Sequence, residues 1–131
     1  MKPAYTPEDY STVSPYLVVN GASATIAFLK RAFGATEQAR HADPSGLVRH
    51  SEVRIGECVV MVSDPVPPAW PSMAAHVHLF VPDVDAAYRR ALEAGATSVQ
   101  APVQKPDDED KRGGVKDDGG TTWWISGRVQ K

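Results

Sequence analysis

A chain of 131 residues that is 42% apolar and 23% charged has the size and composition of one globular domain, not of a disordered or fibrous segment. Its 14 basic and 16 acidic residues leave a formal net charge of −2, and no Lys/Arg cluster stands out, so a nucleic-acid partner is disfavoured. Apolar runs such as 58–62 are far shorter than the roughly 18 residues of a membrane helix, and Met1-Lys-Pro-Ala opens no signal peptide, so no membrane association and a cytoplasmic location are expected.

The first apolar stretch, residues 13–19, reads as a strand with Pro15 near its start, where a missing N–H does least harm. Ala22, Ile26, Leu29 and Phe33 then recur at helical spacing, with Asn20 or Ser23 as candidate caps and Gly34 as the stop. Residues 36–41 read as a strand, Asp43-Pro-Ser-Gly46 as a turn, and residues 47–55 as an alternating strand. After the Gly56-Glu57 turn, residues 58–62 read as a strand that is apolar on both faces. Cys58, the only cysteine, excludes an intrachain disulfide and a thiolate metal cluster, and in this strand it reads as core packing rather than as a nucleophile.

Four prolines within residues 65–71 predict a stiff, extended connection. A strand at 75–81 follows, then a helix capped by Asp83 whose apolar side carries Val84, Ala87, Tyr88, Ala91 and Leu92, ended by Gly95. Residues 97–103 read as a strand, 106–111 as a charged loop, and 113–116 as a short strand. Asp117-Asp-Gly-Gly120 reads as a hairpin turn before a last strand at 121–126. Trp123 and Trp124 are adjacent there and must point to opposite faces; Trp124 is expected on the face away from the helix.

The order β-α-β-β-β thus occurs twice, with Val19 and Val81 closing equivalent strands 62 residues apart. One α+β domain of two modules is expected: residues 12–64, a proline-rich linker at 65–74, and residues 75–127. The spaced motifs Pro15-Tyr-Leu-Val-Val, Ala32-Phe-Gly-Ala35, His50-Ser-Glu-Val-Arg-Ile-Gly56, Val62-Ser-Asp64, His78-Leu-Phe-Val-Pro-Asp-Val-Asp85, Gly95-Ala96, Arg112-Gly-Gly-Val-Lys-Asp117 and Trp123-Trp-Ile125 cover nearly the whole chain. In that order they resemble the vicinal oxygen chelate superfamily, which includes glyoxalase, bleomycin resistance and dioxygenase proteins, and within it the PhnB-like branch. The resemblance implies βαβββ sheets curled around a shared cavity, a small-molecule ligand, and a homodimer in which modules pair within one chain or across two. Asp118, in place of the proline usual in the last turn, and Glu109-Asp110, in place of an aromatic-Gly pair, depart from the pattern.

In metal-using members each module supplies one ligand from its first strand and one from its last. Those positions fall here on Ser14, Val60, His76 and Trp124, of which His76 alone is a good ligand, so the usual four-ligand site is not retained. A relocated site is the alternative: His76 and His78 share a strand face, as do His50 and Glu52, and together they could take Zn, Ni, Fe or Mn.

The resemblance leaves three functions open. The first is a small-molecule binder that could act as a lyase or isomerase next to a carbonyl, with His50, Glu52 or His78 as the base. The second is a metal-free protein that sequesters a drug or metabolite, and the third is a metal-dependent lyase or extradiol-type dioxygenase using the relocated histidines. Whether the protein is an enzyme is left open. Tyr16 and Trp124 are candidate pocket walls, and Arg112 is a candidate for an anionic substrate group, weighed against plain surface solvation. The run 107–110 does not fit a calcium loop and reads as solvated.

Overall fold

The computed structural model describes residues 4–8 and 10–129; residues 1–3, in the opening read for a signal peptide, lie outside them. Ten elements follow in chain order: β1 (Tyr16–Val18), α1 (Ala22–Phe33), β2 (Thr36–Ala42), β3 (Val48–Ile55), β4 (Cys58–Ser63), β5 (Ala75–Phe80), α2 (Val84–Glu93), β6 (Thr97–Val103), β7 (Asp110–Lys116) and β8 (Thr121–Arg128). They form two four-stranded sheets with orders β1-β4-β3-β2 and β5-β8-β7-β6. In each, the first strand runs parallel to the last and the other pairings are antiparallel. The chain is therefore α+β, built from two βαβββ units.

Each sheet puts alternate residues against its helix. On the first sheet Leu17, Val53, Val60 and Val62 face the core; on the second, Val115, Trp123 and Ile125 do. Ile26 and Leu29 on α1 are fully buried, each worth about 1.5–3 kcal/mol of transfer free energy. The modules meet chiefly through α1 and α2. Phe33 at the end of α1 lies 5.5 Å from the ring of Trp123, and Arg90 Nε donates to the carbonyl of Ala32 at 3.3 Å. One apolar core spans both modules, and each sheet turns its other face outward.

Several local expectations change. The first strand starts at Tyr16 rather than at residue 13, although the Pro15 carbonyl still accepts from Met61 N. Neither Asn20 nor Ser23 caps α1. Gly21 occupies the cap position in the left-handed region, and the buried carboxylate of Asp64, at the end of β4, accepts from Gly21 N and Ala22 N. A side chain distant in sequence thus satisfies amides that a local cap usually takes. Asp83 does cap α2, accepting from Ala86 N at 3.0 Å. Asp110 and Lys111, expected in a loop, begin β7 because β8 runs on to Arg128 and pairs with them. The proline-rich segment is not simply extended: Val66 and Trp70 pair across a tight turn containing a cis Pro67–Pro68 bond. Cys58 is only half-buried, with its sulfur 3.8 Å from Ser11 Oγ.

Candidate functional site

The candidate residues fall on the two outward sheet faces. On the first sheet, the registers Tyr16↔Met61 and Glu52↔Met61 put Tyr16, Met61 and Glu52 side by side, with His50 two residues from Glu52 on the same face. Here His50 Nε2 lies 3.3 Å from Glu52 Oε2, and the ring of His50 is 5.9 Å from Tyr16 and 6.3 Å from His41. Hydrogen bonds from Tyr10, first, and His50 hold the Glu52 carboxyl below its usual range, against an opposing effect of burial. Trp70 closes one side, its ring edge-on to Tyr16 at 5.7 Å and its Nε1 donating to Ser63 Oγ at 3.4 Å.

On the second sheet the outward face carries His76, His78 and Phe80 from β5, Trp124 and Ser126 from β8, and Gly114 and Arg112 from β7. Trp124 Nε1 donates to His76 Nδ1 at 3.0 Å, and the two ring planes lie within 7° of parallel with centroids 6.2 Å apart. An indole N–H points along the ring plane, so the rings extend side by side as one flat surface. The bond also fixes the neutral imidazole with its proton on Nε2. Gly114 lies against the indole: a Cβ there would come within 2.6 Å of Trp124 Cζ3. A cleft of about 230 Å³ opens beside this surface, lined by Gln100, Val103, Lys105, Asp108, Arg112 and Trp124.

Arg112 reaches this cleft but is not a free cation. Its Nη1 pairs with Asp108 at 3.0 Å, and its Nε donates to Ser126 Oγ at 2.8 Å and His78 Nε2 at 3.3 Å. Within the acidic run, Asp107 and Glu109 are solvent-exposed as expected, while Arg128 pairs with Glu109 and, at 3.1 Å, with Asp110. His78 Nε2 also lies 2.9 Å from Ser126 Oγ. Burial first, and then the charge of Arg112, hold the His78 pKa below the usual histidine value, with Asp110 pulling the other way.

These contacts do not fit a divalent cation. Of the four positions the family uses, Val60 turns into the core, and the outward residue at its place is Met61, which pairs with Tyr16 as Trp124 pairs with His78. Trp124 directs its N–H at His76, occupying the lone pair of Nδ1. In the relocated set, His78 faces a guanidinium, which repels a cation, while His50 and Glu52 engage each other on the other sheet. Among the described residues no three His, Cys, Asp or Glu side chains form a group that could hold a metal ion. No described helix is long and apolar enough to cross a membrane.

Sequence reading missed Trp70, whose place depends on the fold of the proline-rich turn, and Tyr10, which reaches Glu52 from a segment without regular structure. It also missed the His76–Trp124 bond, although parallel pairing of the first and last strands of the module brings those two residues together.

Comparison with known proteins agrees with this architecture. An uncharacterized protein of Mycobacterium bovis is 37% identical over 129 residues, which is 91% of this chain and 84% of that protein. The crystal structure of TioX from Micromonospora sp. ML1 superposes with a TM-score of 0.75 at 27% identity, covering 91% of this chain and 99% of that one. A member of the glyoxalase/bleomycin resistance protein/dioxygenase superfamily from Sphaerobacter thermophilus gives a TM-score of 0.69 at 18% identity, over 90% and 97% of the two chains, a likeness of fold. Residues 16–126 match the model of the glyoxalase-like domain, and the chain belongs to that family.

Proposed function

We propose that this protein is a PhnB-like member of its family that binds a small planar organic molecule without a metal, by stacking it on the second sheet. The observation that carries this reading is the flat His76–Trp124 surface, seated on Gly114 and bordered by a cleft of about 230 Å³. Aromatic faces bind planar ligands through dispersion and quadrupole contacts, and here the hydrogen bond pre-orients the platform. Lys105, Gln100 and the His76 Nε2–H supply polar groups at its edge. Phe80 is 68% exposed on the same face, and the modules of one chain join chiefly through their helices. Both features favour a homodimer in which a partner copy covers this face.

Coumarin, a neutral planar bicycle, tests the reading. In chelator-treated buffer it should quench tryptophan emission saturably, and Trp124→Leu should abolish that quenching. Undiminished quenching in the variant would sink the proposal. Sedimentation should give twice the chain mass of 14.1 kDa.

A second reading, proton abstraction next to a carbonyl, is favoured by the His50–Glu52 pair. With Nε2–H donated to the carboxylate, Nδ1 presents the lone pair of a general base. Solvent deuterium exchange into a small α-hydroxyketone, lost in His50→Gln, would support it; no exchange with the native protein would exclude it.

A further inference from the structure

We propose that the His76–Trp124 platform is a proton-operated switch: its two rings lie together only while His76 is neutral, and protonation parts them and releases the stacked ligand. The indole N–H is a donor and nothing else, and it is aimed at His76 Nδ1 at 3.0 Å. A neutral imidazole meets it there with a lone pair. An imidazolium carries hydrogens on both nitrogens, so the two N–H groups would then point at each other across a distance that has room for one hydrogen, not two. Histidine is the side chain whose charge ordinarily changes between pH 5 and 8.

Of the two rings, that of His76 is the one free to leave. It is exposed on β5, at the edge of the sheet, whereas the half-buried indole is seated against Gly114 and has no room to sink inward. The other titratable and charged groups of this face do not hold an imidazolium in place. His78 is two residues along β5, and Lys116 stands across β8, since it pairs with Thr122 and Thr122 with His76. Lys105 and Arg112 add positive charge farther on, and the carboxylates there are engaged, Asp108 with Arg112 and Asp110 with Arg128. Residues 71–74, which lead into β5, have no titratable side chain. Once protonated, His76 therefore turns to solvent, and the flat surface that spans both rings shrinks to the indole alone. The release of ligand rests on the stacking reading, whereas the parting of the rings rests on the hydrogen bond.

The Trp124 indole resonance reports the switch without any ligand. In a ¹H–¹⁵N spectrum of the full chain in chelator-treated buffer it is identified by its loss in Trp124→Leu, and Trp123, bonded to Asp117 inside the core, is the internal reference. Between pH 8 and 5 the Trp124 N–H should move in step with the His76 ring protons and become open to solvent exchange. His76→Gln should abolish that movement, whereas His78→Gln should leave it. Coumarin affinity should fall by about tenfold over the same range, because a binding-competent form that becomes a minor fraction weakens apparent affinity by that fraction. Whatever its strength in His76→Gln, coumarin binding should not change with pH there. The proposal is overturned if the Trp124 N–H stays in place throughout, if it moves equally in His76→Gln, or if coumarin binds as tightly at pH 5 as at pH 8. Failure of coumarin at pH 8 would bring down the stacking reading and the release with it, while the indole resonance would still decide whether the rings part.

Discussion

Gly114 lies directly against the indole of Trp124, closely enough that a β-carbon on Gly114 would fall 2.6 Å from Cζ3. The pressed atom belongs to a half-exposed side chain, so in Gly114→Ala the ring gives way and the backbone stays. The expected stability loss is at the low end for overpacking, about 1 kcal/mol. The tilted indole loses its aim at His76 Nδ1, so coumarin affinity should fall by more, about tenfold. Thermal unfolding and fluorescence titration of the same variant check both halves.

What could be read from the sequence was what local pattern encodes. Helix α1 covers the residues that Ala22, Ile26, Leu29 and Phe33 mark out, and Trp123 and Trp124 divide between core and outward face as strand alternation requires. What escaped were contacts between distant segments. Asp64 caps a helix that starts 42 residues earlier, and no local signal marks it. Val60, the family position in β4, faces the core and its neighbour Met61 faces outward, because in a strand an offset of one residue exchanges the faces. Arg112 looked like a free basic residue because its partners Asp108 and Ser126 are set by strand pairing.

Asp64 should be among the costliest polar side chains to remove. Its two oxygens accept from Gly21 N at 3.1 Å, Ala22 N at 2.9 Å and Val48 N at 2.8 Å, tying the start of α1 to the start of β3. Asp64→Ala leaves three amides without an acceptor in a buried place, and a loss of about 3–5 kcal/mol is expected. Asp64→Asn should recover part of it, because its amide retains one acceptor oxygen. Chemical denaturation of both variants gives the order directly; equal losses would mean that side-chain volume, and not acceptance, is what matters there.

Stability should fall on mild acidification, and His78 should be a source of the fall. Its folded pKa lies below the unfolded value of about 6.5, so the unfolded chain binds the extra proton first. The contribution is full above the unfolded pKa and is lost as pH drops toward the folded one. His78 keeps much of its solvent contact, and screening keeps the effect small. Glu52, Glu37 and Asp108 have lowered values, so their contributions disappear only in the carboxylate range, below about pH 4.5. Between about pH 7 and 5 the melting temperature of the native chain should therefore fall more steeply than that of His78→Gln. Parallel curves would refute the assignment.

Trp123 shows how the second hairpin is fixed to the core. Its ring is fully buried against Phe33, and its Nε1 donates to Asp117 Oδ2 at 2.9 Å while Asp117 Oδ1 accepts from Thr121 N at 3.0 Å. Trp123→Phe removes the donor and part of the ring volume, leaving a buried carboxylate oxygen unpaired, so a loss of about 3 kcal/mol is expected. If the hydrogen bond accounts for much of that, the loss should shrink once Asp117 is already Asn, because the cost of stranding a charged oxygen is then gone. A double-mutant cycle by urea unfolding measures the coupling, expected at about 1–2 kcal/mol. A coupling near zero would assign the role of Trp123 to packing against Phe33 alone.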